Sequence, residues 1–254
     1  MPDFDTRSTL DDAPALRFVE VTKSYGRTRA LAGISLEVRQ GEFFGLIGIN
    51  GAGKTTLIKS LLDFCDIDGG RIEIFGASHR RTAARARLAF LPERFNPPFY
   101  LTGRDFLQYM TRLHRTRYDA AAVERVFQEL DLDSAALAKP VRSYSKGMTQ
   151  KLGLAACMLS GKDLQVLDEP ASGLDPRARA LFKQALAGQR AAGRTVFFSS
   201  HALHDVEQLC DRIGVVHEGR LLFAGTPREL RRTFGGARDL EEAFLACIGE
   251  PLVV

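Results

Sequence analysis

Residues 43–56 read FFGLIGINGAGKTT, and this stretch decides the fold class. It begins with a continuous apolar run at Phe43–Ile47, which has the length and composition of a strand buried on both faces. A glycine-rich loop follows and leads into an amphipathic helix predicted from residue 54 to about residue 63. A buried strand, a glycine-rich loop and a helix in direct succession indicate an α/β protein with a phosphate-binding loop.

The loop at residues 48–55 fits the phosphate-binding pattern GxxxxGK[ST]. Its glycines allow successive backbone N–H groups to surround an anion, and the following helix adds the positive end of its dipole. Lys54 would neutralise β- and γ-phosphate oxygens of a nucleotide, and the Thr55 hydroxyl would bind Mg²⁺. The predicted nucleotide-binding residues at this loop are Gly48, Asn50, Gly51, Ala52, Gly53, Lys54, Thr55 and Thr56. The loop alone does not distinguish kinases, GTPases, helicases and motor ATPases.

Two acidic residues end a second apolar strand, which is predicted at residues 164–167. Asp168, at the end of a strand beside the glycine loop, can hold Mg²⁺ through its water shell. Glu169 points in a different direction and can polarise a water molecule towards a γ-phosphate. Gln165 is unusual in this apolar strand, and it must find hydrogen-bond partners if it is buried.

Strand and helix patterns alternate along most of the chain. The remaining strands are predicted at residues 17–22, 34–39, 71–75, 88–91, 195–199, 213–216 and 221–224. Helical spacing is found at residues 103–113, 120–130, 146–159, 227–232 and 240–247. The alternation predicts a parallel sheet covered by helices, and the run of helices before residue 160 predicts a helical subregion.

Composition and charge exclude several classes of protein. The chain has 254 residues, of which 45% are hydrophobic and 26% charged, so wholesale disorder is excluded. A formal charge of +4 is too small to indicate a nucleic-acid-binding protein. No apolar run approaches the ~18 residues of a membrane-spanning helix. The four cysteines, at positions 65, 157, 210 and 247, lack metal-ligand spacing and are interpreted as reduced thiols.

Four further segments resemble the ABC-type ATPases. Residues 144–150 (YSKGMTQ) resemble the signature motif of that family, commonly LSGGQ, in the form found with export permeases. Residues 171–176 (ASGLDP) resemble its D-loop, and residues 195–201 (TVFFSSH) resemble its strand and switch histidine. Tyr25 matches the aromatic residue that stacks on adenine. The order and spacing of these pieces match the family from about residue 16 to 225.

The resemblance implies a P-loop NTPase (RecA-like) parallel sheet core, an N-terminal antiparallel β subdomain and a helical subdomain that carries the signature motif. Residues 1–14 are acidic and polar and are expected to form a disordered tail. Residues 15–225 would form the ATPase domain, with its helical subdomain at about 94–160. Residues 226–254 would form a short helical extension.

The resemblance also implies a dimer in which two such domains pack head-to-tail around two ATP molecules. Ser145 and Gly147 of one protomer would cap the γ-phosphate held by the glycine loop of the other. Asp175 would bridge across the dimer, or cap the helix that follows it, or do both. Glu169 would act as the general base or polarise the attacking water. His201 would hold the γ-phosphate and that water in place.

Glu93 departs from the family, which usually has a glutamine at this position that reaches towards Mg²⁺ and the membrane partner. Glutamate could still coordinate Mg²⁺ or its water, so the predicted metal ligands are Thr55, Asp168 and Glu93. The region that follows Glu93 corresponds to the one that docks the membrane subunit in relatives. Two interpretations of its aromatic residues stay open: they form a docking groove, or they form the core of the helical subdomain. These aromatic residues are Phe95, Phe99, Tyr100 and Phe106.

The resulting prediction is an ATP-binding and ATP-hydrolysing subunit that powers transport across a membrane, with export favoured by the resemblance. ATP and Mg²⁺ are the expected cofactors. The expected partners are integral membrane permease subunits and a second ATPase subunit, identical or different; no nucleic acid is expected. The protein would be cytoplasmic and peripheral on the inner face of the cell membrane. The alternatives are a soluble ABC-type ATPase acting on nucleic acid or ribosomes, a nucleotide sensor without turnover, and a small-molecule P-loop kinase.

Overall fold

A computed structural model describes residues 13–234 and 237–249. The strands are β1 (Leu16–Tyr25), β2 (Thr28–Val38), β3 (Phe43–Ile47), β4 (Gly69–Ile74), β5 (Ala77–Ser78), β6 (Leu88–Leu91), β7 (Leu164–Asp168), β8 (Thr195–Ser200), β9 (Arg212–His217) and β10 (Arg220–Gly225). The helices are α1 (Lys54–Leu61), α2 (Thr82–Arg85), α3 (Gly103–Leu113), α4 (Ala120–Glu129), α5 (Lys146–Leu159), α6 (Pro176–Ala191), α7 (Leu203–Leu209), α8 (Pro227–Thr233) and α9 (Leu240–Ile248). Short 3₁₀ turns lie at Ser134–Ala138 and Val141–Ser143. The tail expected at residues 1–14 lies outside the described residues except for its last two.

The chain divides into two compact units. Of the described residues, the first unit takes 13–87, 195–234 and 237–249, and the second takes the continuous stretch 88–194. The first unit is therefore built from two separate parts of the chain, and the second is inserted between them in sequence.

An antiparallel sheet in the first unit has the strand order β2-β1-β4-β5. Leu16 of β1 lies opposite Val38 on one side and Ile74 on the other, and all three side chains are buried. The end of β2 alternates between buried and exposed residues, as expected for a strand with one face on the core. This sheet confirms the predicted N-terminal antiparallel β subdomain.

Strand β3 pairs in parallel with both β8 and β9 in the first unit, and β10 joins the far edge of β9 antiparallel to it. All five residues of β3 are buried, which fits the continuous apolar run in its sequence. Phe44 of β3 stacks on Phe197 of β8 with ring centroids 6.0 Å apart. The predicted parallel core strand is therefore confirmed at the position where the glycine loop begins.

The second unit contains the parallel pair β6–β7 together with helices α3 to α6. Gly153 allows α5 to approach β6 closely, because a Cβ there would lie 2.5 Å from Leu91 Cδ1. Gln165, which required a partner on sequence grounds, donates from Nε2 to Oε1 of Gln189 at 2.8 Å. Parallel strands with packed helices confirm the α/β class.

Several element ends differ from the sequence prediction, and the largest difference is that β2 begins at Thr28 and not at residue 34. Two of the other differences have a clear physical reason. β1 continues beyond residue 22 to Tyr25, because its polar last residues pair with the first residues of β2 across a tight turn. β4 ends at Ile74, because Phe75 has a left-handed backbone with φ of 47°. The longer β1 matters for the site, since it places Tyr25 on the end of a strand.

Candidate functional site

The glycine loop turns sharply between β3 and α1 at positions that only glycine fits. A Cβ on Gly48 would lie 2.3 Å from the carbonyl oxygen of Val216. Gly53 has φ of +111°, and a Cβ there would lie 2.6 Å from the carbonyl oxygen of Ala30. These two close approaches hold the end of the strand and the start of the helix in a fixed turn.

Lys54 begins α1, and its side chain is folded back into the loop with only 7% of its surface exposed. Its Nζ donates to the carbonyl oxygens of Gly48 at 2.6 Å and Ile49 at 3.3 Å. These carbonyls replace part of the hydration that the ammonium loses on burial. A phosphate oxygen is a stronger acceptor for an ammonium than a neutral carbonyl is. The Lys54 ammonium can therefore exchange its hydrogen bonds to the two carbonyls for hydrogen bonds to an anion bound in the loop.

The other predicted loop residues divide between the tip of the loop and the first turn of the helix. Asn50 and Gly51 are exposed at the tip, and Ala52 is buried beneath it. Thr55 and Thr56 are half-buried on the first turn of α1. The structure thus brings all predicted loop residues into one turn at the N-terminus of α1.

His201 lies beside this loop because of the strand pairing. Ile47 of β3 is opposite Ser200 of β8 in the parallel register, so Gly48 and His201 leave the sheet at the same end. The Ser200 hydroxyl accepts a hydrogen bond from the Ala202 backbone N–H at 3.0 Å, which fixes the turn around His201. His201 itself is exposed. The carboxyl ends of parallel strands are where α/β proteins bind ligands.

Tyr25 lies at the end of β1 with 49% of its surface exposed. Its phenol is hydrogen-bonded to the thiol of Cys65, and this bond is the main cause that raises the pKa of Tyr25, with burial adding to it. The ammonium of Lys23 lies 5.3 Å from the centroid of the ring.

In the second unit the acid pair lies at the end of β7. Asp168 is 3% exposed, and Glu169 has a left-handed backbone with φ of 47°, which is uncommon for residues other than glycine. Leu91 of β6 is opposite Leu167 of β7 in the parallel register. Glu93 therefore leaves the strands at the same end as the acid pair, and its side chain is exposed.

The turn after Glu169 is held by a residue with no predicted role. Gln150 of α5 is 5% exposed, and its Nε2 donates to the carbonyl oxygen of Pro170 at 3.1 Å. The backbone N–H of Ser172 donates to the carbonyl oxygen of Glu169 at 3.0 Å. The sequence signals are its place in the segment 144–150, which resembles the signature motif, and its polar side chain next to the buried residues of α5.

The residues that resemble a signature motif form the start of α5. Ser145 is exposed and caps the helix, since its Oγ accepts from the Met148 backbone N–H at 3.2 Å. A Cβ on Gly147 would meet only the Ser145 hydroxyl, at 4.0 Å, so the surface above it is open. Tyr144 donates to the carbonyl oxygen of Ala136 at 2.6 Å, and burial raises its pKa to about 12. This tyrosine anchors the segment that precedes the helix.

Asp175 caps α6, and its Oδ1 accepts from the Ala178 backbone N–H at 2.8 Å. The capping role named among the sequence predictions is therefore present, and the bridging role remains a prediction. In the loop before this helix, Gly173 has φ of +76°, and the Cε of Lys146 lies 2.8 Å from where its Cβ would be. Lys146 thus packs its side chain against the loop that leads to Asp175.

The predicted metal ligands come from both units. Asp168 and Glu93 belong to the second unit, where they share one end of the β6–β7 pair, and Thr55 belongs to the first unit. Within residues 13–234 and 237–249, no group of three or more His, Cys, Asp or Glu side chains could hold a metal by itself. Hydroxyl and carboxylate oxygens are donors that Mg²⁺ accepts, and Mg²⁺ usually completes its coordination with waters and substrate phosphates.

The buried strand, the glycine loop and the helix that begins at Lys54 define a P-loop nucleotide-binding protein. The chain belongs to the ABC transporter family, since a family model described as "ABC transporter" matches residues 31–172. It is 37% identical over 220 residues to the Nod factor export ATP-binding protein I of Paraburkholderia xenovorans, covering 85% of this chain and 72% of that protein. It is 40% identical over 205 residues to an uncharacterised ABC transporter ATP-binding protein of Nostoc sp..

The match to the Nostoc protein covers 79% of this chain but only 61% of that relative's length. Among solved structures, the ATP-binding subunit of an ABC transporter is similar, with a TM-score of 0.83 and 30% identity. That similarity covers 92% of this chain and 99% of the other. The P-loop NTPase fold predicted from the sequence is therefore confirmed.

Proposed function

We propose that this chain is the ATP-binding and ATP-hydrolysing subunit of a membrane transporter that works in export with separate integral membrane permease subunits. Membership of the ABC transporter family supports the general class. The relative named as a Nod factor export ATP-binding protein supports the direction of transport. No helix in the described part of the chain is both long and apolar enough to cross a bilayer. A subunit of this kind acts from the cytoplasmic face, bound to its permease.

The observation that carries the proposal is the phosphate cradle formed by the glycine loop. The Lys54 ammonium is buried, and it is bound to the carbonyls of Gly48 and Ile49 at the N-terminus of α1. On ATP binding this cation exchanges loop carbonyls for β- and γ-phosphate oxygens, while the backbone N–H groups of the loop surround the phosphates. Tyr25 provides a half-exposed aromatic surface for the adenine.

Mg²⁺ would be held by the hydroxyl of Thr55 and the carboxylate of Asp168, with Glu93 as a further ligand directly or through water. A bound Mg²⁺ neutralises charge on the β- and γ-phosphate oxygens. Asp168 fits this role because its carboxylate is buried at the end of a strand, where a cation offsets the cost of burial.

Glu169 and His201 are the proposed catalytic residues. Glu169 polarises the attacking water from a turn in which its own backbone is left-handed, with φ of 47°. His201, at the end of β8, holds the γ-phosphate and the water in line. Phosphoryl transfer depends mainly on positioning and charge neutralisation, and these residues supply both.

Dimerisation completes the site in this proposal. Ser145 and Gly147 of one protomer cap the γ-phosphate bound to the other, and the open surface above Gly147 leaves room for a phosphate. Asp175 bridges the two protomers while capping its own helix. ATP therefore favours the closed dimer, and loss of the γ-phosphate contacts after hydrolysis favours opening.

The permease is proposed to dock on a groove of the second unit. The groove has a volume of about 460 Å³ and is lined by Pro98, Tyr100, Leu101, Asp105, Gln108, Tyr109 and Arg112. Tyr100, which lines the groove, is 70% exposed, and the preceding residue Phe99 is 66% exposed. Large exposed aromatic surfaces of this kind are typical of protein interfaces. Phe106, in contrast, is buried against Phe95 and belongs to the core.

The proposal is tested by capturing a tagged Glu169→Gln variant from detergent-solubilised cells in the presence of ATP. This variant is expected to bind ATP without turnover and to retain a stoichiometric membrane protein with several spanning segments, identified by mass spectrometry. The matched control adds Lys54→Ala, which removes the cation of the cradle and is expected to abolish the capture. Ribosomes, DNA-repair proteins or soluble proteins alone in the captured fraction would contradict the transporter function.

A further inference from the structure

The chain that leaves α1 lies along the end of β1 and is tied to it by Asp68. The backbone N–H of Asp68 donates to the carbonyl oxygen of Thr22 at 2.8 Å. Its Oδ2 accepts from the backbone N–H of Ser24 at 2.6 Å, and its Oδ1 accepts from Lys23 Nζ at 3.4 Å. One aspartate therefore binds the three consecutive residues that lead to Tyr25.

A second contact from the same segment reaches the aromatic side chain itself. Interaction with the Cys65 side chain, three residues before Asp68, raises the pKa of Tyr25. The sulfur of Cys65 lies 3.5 Å from the hydroxyl of Ser60, which is a buried residue of α1. The tyrosine is thus connected through Cys65 to the helix that begins at the phosphate cradle.

These contacts hold the end of β1 and, with it, the position of Tyr25. The residue lies at the tip of the β1–β2 hairpin, and a Cβ added to the neighbouring Gly26 would meet nothing within 4 Å. A half-exposed ring at such an open position loses conformational freedom when a ligand fixes it. A hydrogen-bonded support reduces that loss, because the ring is already held before the ligand arrives.

We propose that Asp68 is a positioning residue for nucleotide binding, which holds Tyr25 at a fixed distance from the phosphate cradle and so sets the affinity for the base. The inference rests on the proposed adenine-stacking role of Tyr25. Asp68 does not touch the nucleotide in this proposal. It acts through the backbone of Ser24, which it anchors one residue before the ring.

The proposal makes a distinction between the two ends of a nucleotide. Loss of Asp68 makes the position of Tyr25, the proposed adenine-stacking residue, less fixed and leaves the phosphate cradle unchanged. Affinity for a ligand with a base therefore falls, and affinity for a ligand with phosphates alone does not. A general loss of structure would weaken both ligands together, so the comparison separates positioning from destabilisation.

The test is isothermal titration of the full chain with ADP and with inorganic tripolyphosphate. Asp68→Ala is expected to weaken ADP binding about fivefold, which corresponds to the loss of one hydrogen bond, and to leave tripolyphosphate binding unchanged. Asp68→Asn keeps an oxygen acceptor for the Ser24 N–H and is expected to restore most of the ADP affinity. Thermal unfolding of each variant without ligand checks that the fold is retained.

Asp66→Ala is the matched control. Asp66 is an exposed acid two residues away that pairs with Arg80 at 3.4 Å, so the same charge is lost without loss of the contacts to β1. ADP affinity is expected to stay at the parent value in this variant. An equal loss in Asp66→Ala and Asp68→Ala would assign the effect to net charge and overturn the proposal.

A double-mutant cycle with Tyr25→Ala completes the test. Tyr25→Ala alone is expected to weaken ADP binding about tenfold, and adding Asp68→Ala to it is expected to have no further effect. Additive losses would show that Asp68 acts without Tyr25. If Asp68→Ala leaves the ADP affinity unchanged while Tyr25→Ala lowers it, the inference about Asp68 is overturned and the proposed adenine stacking by Tyr25 is retained. If Tyr25→Ala leaves the ADP affinity unchanged, both the positioning role of Asp68 and the adenine stacking by Tyr25 are overturned.

Discussion

Gln150 holds the turn that contains the proposed catalytic glutamate. It is buried in α5, and its amide donates to the carbonyl oxygen of Pro170 at 3.1 Å. Pro170 is itself buried and follows Glu169, whose left-handed backbone costs on the order of 1–2 kcal/mol for a residue other than glycine. Such a conformation persists because surrounding contacts determine it, and the Gln150 amide is one of those contacts.

Replacing Gln150 by leucine is expected to lower kcat for ATP hydrolysis about tenfold with little change in KM. The reason is that the Pro170 carbonyl loses its buried donor, which also costs about 1–3 kcal/mol in the free energy of unfolding. Steady-state ATPase assays and urea unfolding measure the two effects.

Gln165→Leu is the matched control for this prediction, because it removes a buried amide from the same unit. The partner of Gln165 is the Gln189 side chain, which lies on α6 and not in the turn. Its loss is expected to reduce stability and leave kcat near the parent value. Equal kcat values for the Gln150 and Gln165 variants would mean that the turn does not need its amide anchor.

The residue scale also shows what a sequence can predict about a site. The pattern GxxxxGK[ST] fixed the position of Lys54, because motif chemistry is local. The hydrogen bonds from Lys54 to the Gly48 and Ile49 carbonyls were not predictable, since they depend on the three-dimensional path of the loop. The contact between Asp68 and Ser24 joins residues 44 positions apart and has no local signal.

At the scale of elements, the N-terminus of α5 combines a structural and a proposed functional role in one residue. The Ser145 side chain caps the helix through the Met148 N–H, and the same exposed hydroxyl is proposed to face a γ-phosphate. Aspartate and alanine separate these roles, because aspartate is a good helix cap and alanine is a poor one.

Ser145→Ala is expected to lower the free energy of unfolding by about 1 kcal/mol. Ser145→Asp is expected to keep the parent stability and to lose ATP-dependent dimerisation, because its carboxylate repels the γ-phosphate. Thermal unfolding and light scattering in the Glu169→Gln background measure the two properties. An Asp variant that dimerises with ATP as well as its parent would exclude Ser145 from the γ-phosphate contact.

Element boundaries, like site residues, were predictable where the signal is local and were missed where they depend on contacts between distant parts of the chain. β3 and β7 were predicted closely, because strands buried on both faces appear as short apolar runs. The last three residues of β1 were missed, because they are polar and partly exposed and are strand only through pairing with β2. The hydrophobic pattern of a sequence indicates which residues are buried. It does not indicate which exposed residues pair with a neighbouring strand.

For the whole molecule, the proposed head-to-tail dimer predicts complementation between two inactive variants. Lys54→Ala disables the cradle of its own protomer, and Ser145→Arg disables the cap that it offers to its partner. Each homodimer then lacks any complete site, and a mixed dimer keeps one. An equal mixture is expected to recover about a quarter of the parent ATPase rate, since about half of the dimers are mixed.

The control for this experiment is each variant alone at the same total protein concentration. Each of these samples is expected to stay inactive. Full activity of the Lys54→Ala or Ser145→Arg homodimer would contradict a site shared between protomers. So would a mixture that shows no recovery while light scattering detects mixed dimers.

The discontinuous first unit has a consequence for how the protein is made. Its central strand β3 is complete early in translation, but its hydrogen-bonded neighbours β8 and β9 come from the last quarter of the chain. The hydrogen bond from the Gly41 N–H to the Thr195 hydroxyl spans 154 residues. The continuous second unit is therefore finished on the ribosome first, while the apolar strand before the glycine loop waits unpaired. During that interval the apolar strand β3 lacks both of its hydrogen-bonded neighbours, and the glycine loop that follows it lacks the strand that leads to His201 until residue 200 has emerged.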